Sequence, residues 1–228
     1  MPVALTSAIE ISIAPEKAFN IGSFEVTGTM VSAFVTMLVL VIFAAVVRIF
    51  FIPRWAKNDR KPSAFRLFLE SMVNMFDSAA QEQTESYSGF VGPFYFSLAA
   101  FIALGTLMEM TGLRPPTSDL NATLALGLLS FVAIAFFGFH KKKARRLLHY
   151  CNPINIVSDA VVPLSLALRL FGSVFSGYVI MHLLYSLPMF AQVALPAAAS
   201  VVFTIFHALI QSYIFMFLSM NFIGEAIE

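Results

Sequence analysis

A single fixed charge stands out among the residues that could do chemistry. Arg169 is the only Lys, Arg, Asp or Glu between Asp159 and Glu225, in an apolar stretch long enough to cross a membrane twice. A guanidinium keeps its charge because its pKa stays above ~12. About 16 residues, or roughly 24 Å of helix, separate Arg169 from Pro153, too far for an easy escape to the lipid headgroups. Charges at membrane depth usually face a protein interior or a water-filled cavity, so Arg169 is predicted to act on an ion or an anionic group.

Titratable and polar side chains follow in the same part of the chain. His207 precedes Gln211 by four residues, so the two share one helical face, and His182 lies thirteen residues after Arg169. Imidazoles titrate near neutral pH, and hydroxyl groups can order water, so a histidine pair could carry protons. The hydroxyl groups available for this are those of Ser173, Ser176, Tyr178 and Thr204. Alternatively, the histidines are only hydrogen-bonded within a helix bundle.

The composition places these residues in a membrane protein. Hydrophobic residues make up 59% of the 228 residues and charged residues 12%, and the mean hydropathy is +0.83. Soluble domains carry about 25% charged residues. The single cysteine, Cys151, excludes an internal disulfide and offers no metal framework. The N-terminal sequence has no basic region followed by an apolar one, so no cleavable signal peptide is predicted, and no cofactor motif is recognised.

Five apolar runs are predicted to cross the membrane in an all-α fold with one membrane domain over residues 1–228. A span needs about 20 apolar residues. The predicted spans cover residues 26–52, 90–110, 120–139, 154–187 and 189–224, after an outer N-terminal segment at 1–25 and with a basic loop at 140–153. Each of the last two approaches about 50 Å as a helix, beyond the ~30 Å hydrocarbon core, so both are predicted to be strongly tilted.

The basic residues predict the orientation. Eleven of the 14 Lys and Arg residues fall in two regions, 48–66 and 141–146, which a five-span topology places on one face. By the positive-inside rule the N-terminus lies outside and the C-terminus in the cytoplasm. The run Lys141–Lys143 is therefore interpreted as a topological signal, and no nucleic-acid partner is predicted.

Residues 63–87 differ from the spans. Apolar residues recur there at three- and four-residue spacing, opposite polar ones, which predicts an amphipathic helix. Ser63 is a candidate N-cap. The apolar face could lie in the cytoplasmic membrane interface or pack on the protein's own spans; the two interpretations are compatible.

Three motifs resemble those of subunit a of F-type ATP synthases, in the family's order and over nearly the whole chain. They are residues 164–172 (LSLALRLFG) around Arg169, residues 115–126 (PPTSDLNATLAL) and residues 209–215 (LIQSYIF) around Gln211. The resemblance implies a non-catalytic stator subunit facing a rotating c-subunit ring, in which two aqueous half-channels reach the ring carboxylate. It implies Arg169 as the essential arginine and Gln211 as its support.

The resemblance also implies partners and a location. They are the c-subunit ring, the b-subunit peripheral stalk and, indirectly, the F1 catalytic sector, in a bacterial plasma membrane rather than an organellar inner membrane. Glu109 ends the second span, where it could form an acidic mouth to the outer half-channel or simply mark the end of the helix. Asn152, Pro153 and Asp159 lie near the expected inner half-channel.

The chain departs from the family pattern at three positions. Ser173 replaces the usual Asn, while Tyr178 and Thr204 stand where family members commonly carry a titratable pair of Glu and His. His182 matches a histidine of mitochondrial-type members. We therefore predict that His182 and His207, with the neighbouring hydroxyls, line the outer half-channel.

Two other classes compete with this interpretation. A secondary transporter or channel could use Arg169 to bind an anionic substrate, and it would be expected to show paired, broken spans. Pro163 and Gly172 flank Arg169, but no second matching half is found. A purely structural membrane protein is a third class, which a deep lone arginine disfavours. The ion, protons or sodium, is left open.

Overall fold

The computed structural model describes residues 17–21, 24–57, 63–84, 87–111, 113–142, 153–185 and 194–227. Within these ranges, two short strands, β1 and β2, precede seven α-helices, α1 to α7. The elements are β1 (Lys17–Ile21), β2 (Phe24–Thr27), α1 (Gly28–Val46), a π-helical turn (Val47–Phe51), α2 (Ile52–Lys57), α3 (Ala64–Thr84), α4 (Ser88–Leu107), two 3-10 turns (Met108–Thr111 and Pro116–Ser118), α5 (Leu120–Lys142), α6 (Pro153–Tyr185) and α7 (Ala194–Ile227).

Among the described residues, five helical segments are long and apolar enough to cross a membrane, which confirms the predicted all-α membrane fold. They are Gly28–Trp55, Ser88–Thr111, Leu120–Lys141, Val161–Met181 and Ala198–Ile227. The last two belong to α6 and α7, which have 33 and 34 residues. At 1.5 Å per residue each helix is about 50 Å long, so it exceeds the ~30 Å hydrocarbon core and must tilt or extend beyond it.

The predicted outer N-terminal segment, residues 1–25, contains β1 and the start of β2. β1 and β2 pair antiparallel, with Asn20 opposite Glu25 and Ile21 opposite Phe24. Val26, which the sequence analysis placed in the first span, lies in β2, and the helix begins at Gly28. Residues 1–16 lie outside the described part of the chain.

The amphipathic helix α3 uses its apolar face in two ways. The Leu67 N–H donates to the Ser63 carbonyl oxygen at 3.0 Å, so Ser63 occupies the N-cap position. Near the start of the helix Phe68 is 61% exposed, whereas Phe76 and Ala80, further along, are buried in the core. The second half of α3 therefore packs on the spans, while the first half leaves apolar surface free for the membrane interface.

The core lies where α3, α4, α5 and α7 pack together, and α6 packs along α5 and α7. Glycine residues allow the backbones to come close at two of these helix contacts. A Cβ on Gly127 in α5 would lie 2.5 Å from the Pro163 carbonyl oxygen in α6, and one on Gly224 in α7 would lie 2.8 Å from the Gln83 carbonyl oxygen. Helices come this close only where one of them carries no side chain.

Helix α1 is the least packed of the spans, with 6% of its apolar window buried. One hydrogen bond ties its start to the rest of the molecule: Thr29 Oγ1 donates to Asp119 Oδ2 at 3.1 Å. The other oxygen, Oδ1, accepts the Asn121 N–H at 2.9 Å, so Asp119 is the N-cap of α5. Asn121 lies inside the helix.

Candidate functional site

Arg169 is the central residue of α6, with sixteen residues on either side of it in Pro153–Tyr185. Leu166, Ala167 and Leu170 of this segment are buried within the molecule. Arg169 points away from them and is exposed, as are Leu168 and Gly172 beside it. The only charge of the span therefore lies on an outer, mostly apolar face, halfway along a membrane-crossing helix.

A cavity of about 650 Å³ lies between α6, α7 and the 3-10 turn that follows α4, and its lining mixes polar with apolar side chains. We call it the polar cavity. Its lining includes four predicted site residues, namely Glu109, Ser173, Thr204 and His207. Ser176 and Ser200 add two more hydroxyl groups. Glu109 is exposed in the 3-10 turn, while Thr204 is 7% exposed between the helices. The cavity thus leads from an acidic residue at the end of α4 to hydroxyls and an imidazole between α6 and α7.

The cavity ends one helical turn from Arg169 and one turn from Gln211. Ser173 lies four residues after Arg169 on α6, and its hydroxyl donates to the Leu170 carbonyl oxygen at 2.7 Å. His207 lies four residues before Gln211 on α7. On both helices, the polar side chains that line the cavity therefore extend toward the middle of the helix.

Two nitrogen atoms on α7 are buried without a hydrogen-bond partner in the described part of the chain. They are His207 Nε2 and Gln211 Nε2. Buried polar atoms normally have a partner, so both groups are available to water or to a partner that covers this region.

Gln211 and Arg169 differ in their surroundings. Gln211 is 7% exposed, whereas Arg169 is exposed, and no hydrogen bond joins their side chains. The predicted support of Arg169 by Gln211 stays a prediction.

Tyr178 and His182 belong to α6, but their side chains lie outside the part that the structure describes. Their predicted place in the half-channel stays a prediction. Sequence analysis missed one polar residue of the cavity, Ser200. A helical signal was present, because Ser200, Thr204, His207 and Gln211 recur at four-, three- and four-residue spacing along α7.

These features define a class. The described residues hold five apolar spans, a central arginine on an outer face and a polar cavity one turn away from it. This combination describes a multi-pass membrane protein of the ion-transport type. No group of His, Cys, Asp and Glu among the described residues forms a metal site. Comparison with known proteins then gives the family. The family model of the ATP synthase A chain matches residues 30–224, so the chain belongs to the ATP synthase subunit a family.

Relatives agree over nearly the full length. ATP synthase subunit a 2 of Acaryochloris marina is 33% identical, over 90% of this chain and 87% of its own. ATP synthase subunit a 2 of Pelobacter propionicus is 30% identical, over 92% of this chain and 91% of its own. A subunit a described as sodium ion specific, from Propionigenium modestum, is 28% identical, over 96% of this chain and 80% of its own.

Proposed function

We propose that this chain is the stator subunit a of the membrane sector of an F-type ATP synthase, passing protons or sodium ions to and from the carboxylates of a rotating c-subunit ring. The observation that carries the proposal is the place of Arg169, exposed at the centre of α6. An exposed guanidinium at membrane depth would cost about 2.5–3.5 kcal/mol or more against lipid, so an anionic partner is expected to cover it.

The same observation disfavours a transporter that binds an anionic substrate internally. Such a protein would turn its arginine into a cavity within the chain. Here the polar cavity is lined by Ser173 and His207, and Arg169 is absent from its lining. The arginine instead faces outward, as recognition of a separate subunit requires.

Electrostatics explains what the arginine does to a ring carboxylate. Burial in an apolar interface favours the neutral form of a carboxyl group, which can then travel through lipid. Beside a fixed guanidinium the ionised form is favoured, because opposite charges attract strongly at low dielectric. The carboxylate therefore releases its ion near Arg169 and takes up another on leaving. The same positive charge repels a cation that would otherwise leak between the two half-channels.

The polar cavity is proposed as the outer half-channel. Glu109 at its mouth attracts cations, and the hydroxyls of Ser173, Ser176 and Thr204 order water along its walls. His207, with an unpartnered Nε2, accepts and returns a proton one turn from Gln211. We propose His182 as the second imidazole of the relay. Gln211 is proposed to act on the Arg169 region through water or through the ring.

The proposed arrangement in the cell follows from the charge distribution. The basic regions 48–66 and 141–146 lie in the cytoplasm of a bacterium, the N-terminus lies outside and the C-terminus inside. The partners are the c-subunit ring, the b-subunit peripheral stalk and, indirectly, the F1 sector, where ATP is made. The chain itself carries out no catalysis.

Substitution of Arg169 in the complete synthase tests the proposal. Arg169→Ala is expected to abolish proton-driven ATP synthesis and ATP-driven pumping in membrane vesicles while the subunit still inserts. Arg48→Ala is the matched control, since it removes an exposed arginine near the end of the first span. Retained coupling in the Arg169 variant would contradict the stator role.

The transported ion needs its own measurement. The relative from Propionigenium modestum is named as sodium ion specific, and the names of the Acaryochloris marina and Pelobacter propionicus relatives carry no ion. ATP hydrolysis by the purified complex is therefore measured against Na⁺ concentration at constant pH. Stimulation by Na⁺ would assign sodium, and its absence together with acidification of vesicles would assign protons.

A further inference from the structure

A second cavity, of about 970 Å³, lies between α1, α3 and α4. Among the described residues it shares no lining side chain with the polar cavity. Most of its lining is apolar, while Arg48, Arg66, Glu70 and Asn74 add polar groups. Its walls α1 and α4 belong to segments that are long and apolar enough to span a membrane, so the cavity lies at membrane depth. We call it the apolar groove.

Contacts between α1 and α4 close one end of the apolar groove. Thr36 of α1 is fully buried, and a Cβ on Gly105 of α4 would lie 4.0 Å from Thr36 Cγ2, so the two helices touch there. None of residues 37–55, all of which the structure describes, is buried. Beyond Thr36 the first span therefore separates from α4 and leaves the space that forms the groove.

An aromatic cluster closes the other end. Phe65 at the start of α3 packs on Phe51 and Trp55, with ring centroids 5.4 and 6.3 Å apart. Tryptophan is enriched at the level of the lipid headgroups. The cluster therefore marks the end of the groove that lies at the membrane surface.

The length of the apolar groove matches one leaflet. Its α1 side runs from Leu40 to Trp55, about 22 Å at 1.5 Å per residue. Half of a bilayer, headgroups included, is roughly 20–22 Å thick. A helix from another subunit would have to cross about 30 Å of hydrocarbon and would run past the contact at Thr36. The groove therefore fits a lipid of one leaflet better than a spanning helix.

The surface end of the groove also carries a positive charge that its own lining does not offset. Arg66 Nε donates to Glu70 Oε1 at 2.7 Å, and Glu70 is the only carboxylate among the described residues of the lining. Arg48, which is exposed, is left without a carboxylate in the groove. The sequence around it adds to the charge, since residues 48–66 contain six Lys and Arg residues and one acidic residue, Asp59. A molecule with a negative head and an apolar tail complements both parts of the groove.

We propose that the apolar groove binds an anionic phospholipid of the leaflet on the Arg48 side. The phosphate accepts hydrogen bonds from the Arg48 guanidinium, whose paired N–H groups match phosphate geometry. The acyl chains lie against the apolar lining, such as Leu69 and Leu104, and extend toward Thr36. The lipid thereby fills the space between α1 and α4 and holds the weakly packed first span against the other helices. In the proposed orientation this is the cytoplasmic leaflet, whose surface potential is negative.

Photolabelling of the complete synthase tests the site. The complex is placed in phosphatidylcholine vesicles that contain phosphatidylglycerol with a photoactivatable group in its acyl chain, and labelled peptides are identified by mass spectrometry. Label is expected in the α1 and α4 walls of the groove, and unlabelled phosphatidylglycerol should displace it more strongly than phosphatidylcholine does. Equal displacement by the two lipids, or no label in these walls, would overturn the proposal.

Substitutions separate a built site from general attraction to a charged membrane. Arg48→Gln should lower labelling about fivefold, the usual effect of one basic residue near an anionic surface. Arg54→Gln is the matched control, because Arg54 is also exposed in the first span but lies outside the lining, and labelling should be unchanged. Equal losses in the two variants would contradict a specific site.

A cryo-electron microscopy map of the complex in the same lipid mixture gives an independent measurement. The expected result is a two-tailed density in the groove with its head beside Arg48. Ala100→Leu, which fills the groove, should remove both this density and the label. A helix of another subunit seated in the groove would overturn the proposal in favour of a protein partner. If the Ala100 variant does not assemble, the labelling of the Arg48 and Arg54 variants decides.

Discussion

Two cavities of this molecule differ in chemistry more than in size. The larger, about 970 Å³, is a groove between α1, α3 and α4, lined mostly by apolar side chains such as Leu40, Leu69 and Leu104. The charged side chains of Arg48, Arg66 and Glu70 also belong to its lining. The smaller, about 650 Å³, carries hydroxyls, an imidazole and a carboxyl group between α6 and α7. Volume alone would select the groove as the functional site.

Polarity at membrane depth indicates the functional site better than cavity volume does. The apolar side chains of the groove are compatible with lipid or another apolar segment, and two of its charged residues pair with each other, since Arg66 Nε donates to Glu70 Oε1 at 2.7 Å. Hydroxyls and an imidazole deep between helices are costly there unless they meet water, ions or one another. The polar groups of the smaller cavity therefore require a functional explanation, whereas the apolar side chains of the groove do not.

Removal of both imidazoles should produce the largest effect. The double variant His182→Ala, His207→Ala is expected to lower proton-driven ATP synthesis by about 10²-fold, because the relay loses its titratable groups. Synthesis is measured in inverted vesicles under an imposed proton gradient. His140→Ala, an exposed histidine near the end of α5 that stacks on Phe136, is the control and should leave the rate unchanged. Normal synthesis in the double variant would remove the histidines from the path.

Blocking each cavity compares the two directly. Gly177 lines the polar cavity, and a Cβ there would meet no atom within 4 Å, so Gly177→Leu fills space without a clash near its backbone. Proton flux should fall on the order of tenfold, because an apolar constriction excludes water.

The matched substitution is Ala100→Leu, which fills the apolar groove. Proton flux in this variant should stay within about twofold of that in the unsubstituted protein, because the substitution lies away from the proposed ion path. Both variants are assayed for passive proton flux through the membrane sector after removal of F1. An equal decrease in proton flux in the two leucine variants would contradict the distinction between the cavities.

Two glycines allow a comparison of helix packing on the two faces. Gly127→Ala places a Cβ against the Pro163 carbonyl oxygen and should destabilise the α5–α6 contact by about 1–3 kcal/mol. Gly172→Ala meets no atom within 4 Å and should instead stabilise α6 by about 0.5–1 kcal/mol, the usual gain on replacing glycine within a helix. Denaturation in mild detergent measures both. Equal losses would show that the two helix faces are packed alike.

The smallest effect is expected at the link between α1 and α5. Asp119→Ala removes both the N-cap of α5 and the bond from Thr29, and should cost about 1 kcal/mol. Thr29→Val removes the bond to α1 alone and should cost less. The difference between the two, measured by chemical denaturation, isolates the contribution of the cap. A greater loss for Thr29→Val would mean that α1 is held more firmly than its exposure indicates.

The sequence predicted the spans well because apolar length is a local property. The third predicted span and α5 begin at the same residue, Leu120, but α5 runs on to Lys142, since a helix can continue into charged residues beyond the membrane. The strands at Lys17–Thr27 were missed, although Gly22 and Ser23 stand between them in the sequence as a turn signal.

The site was predictable only in part. Arg169 was singled out by its isolation, but its outward direction depends on which face of α6 packs against α5. The meeting of Glu109 with His207 depends on a contact between elements almost one hundred residues apart, which periodicity within one helix cannot reveal. The burial of Gln211 has the same origin.

The weak packing of α1 has a consequence for how the chain is made. A segment this apolar, which leaves nearly all of its surface free, partitions into the bilayer on its own as it leaves the ribosome. The segment that contains Arg169 is the least apolar of the five and must be retained by neighbours. Its companion α7 is synthesised after it, so the two helices that flank the polar cavity assemble on a scaffold that the earlier spans have already anchored.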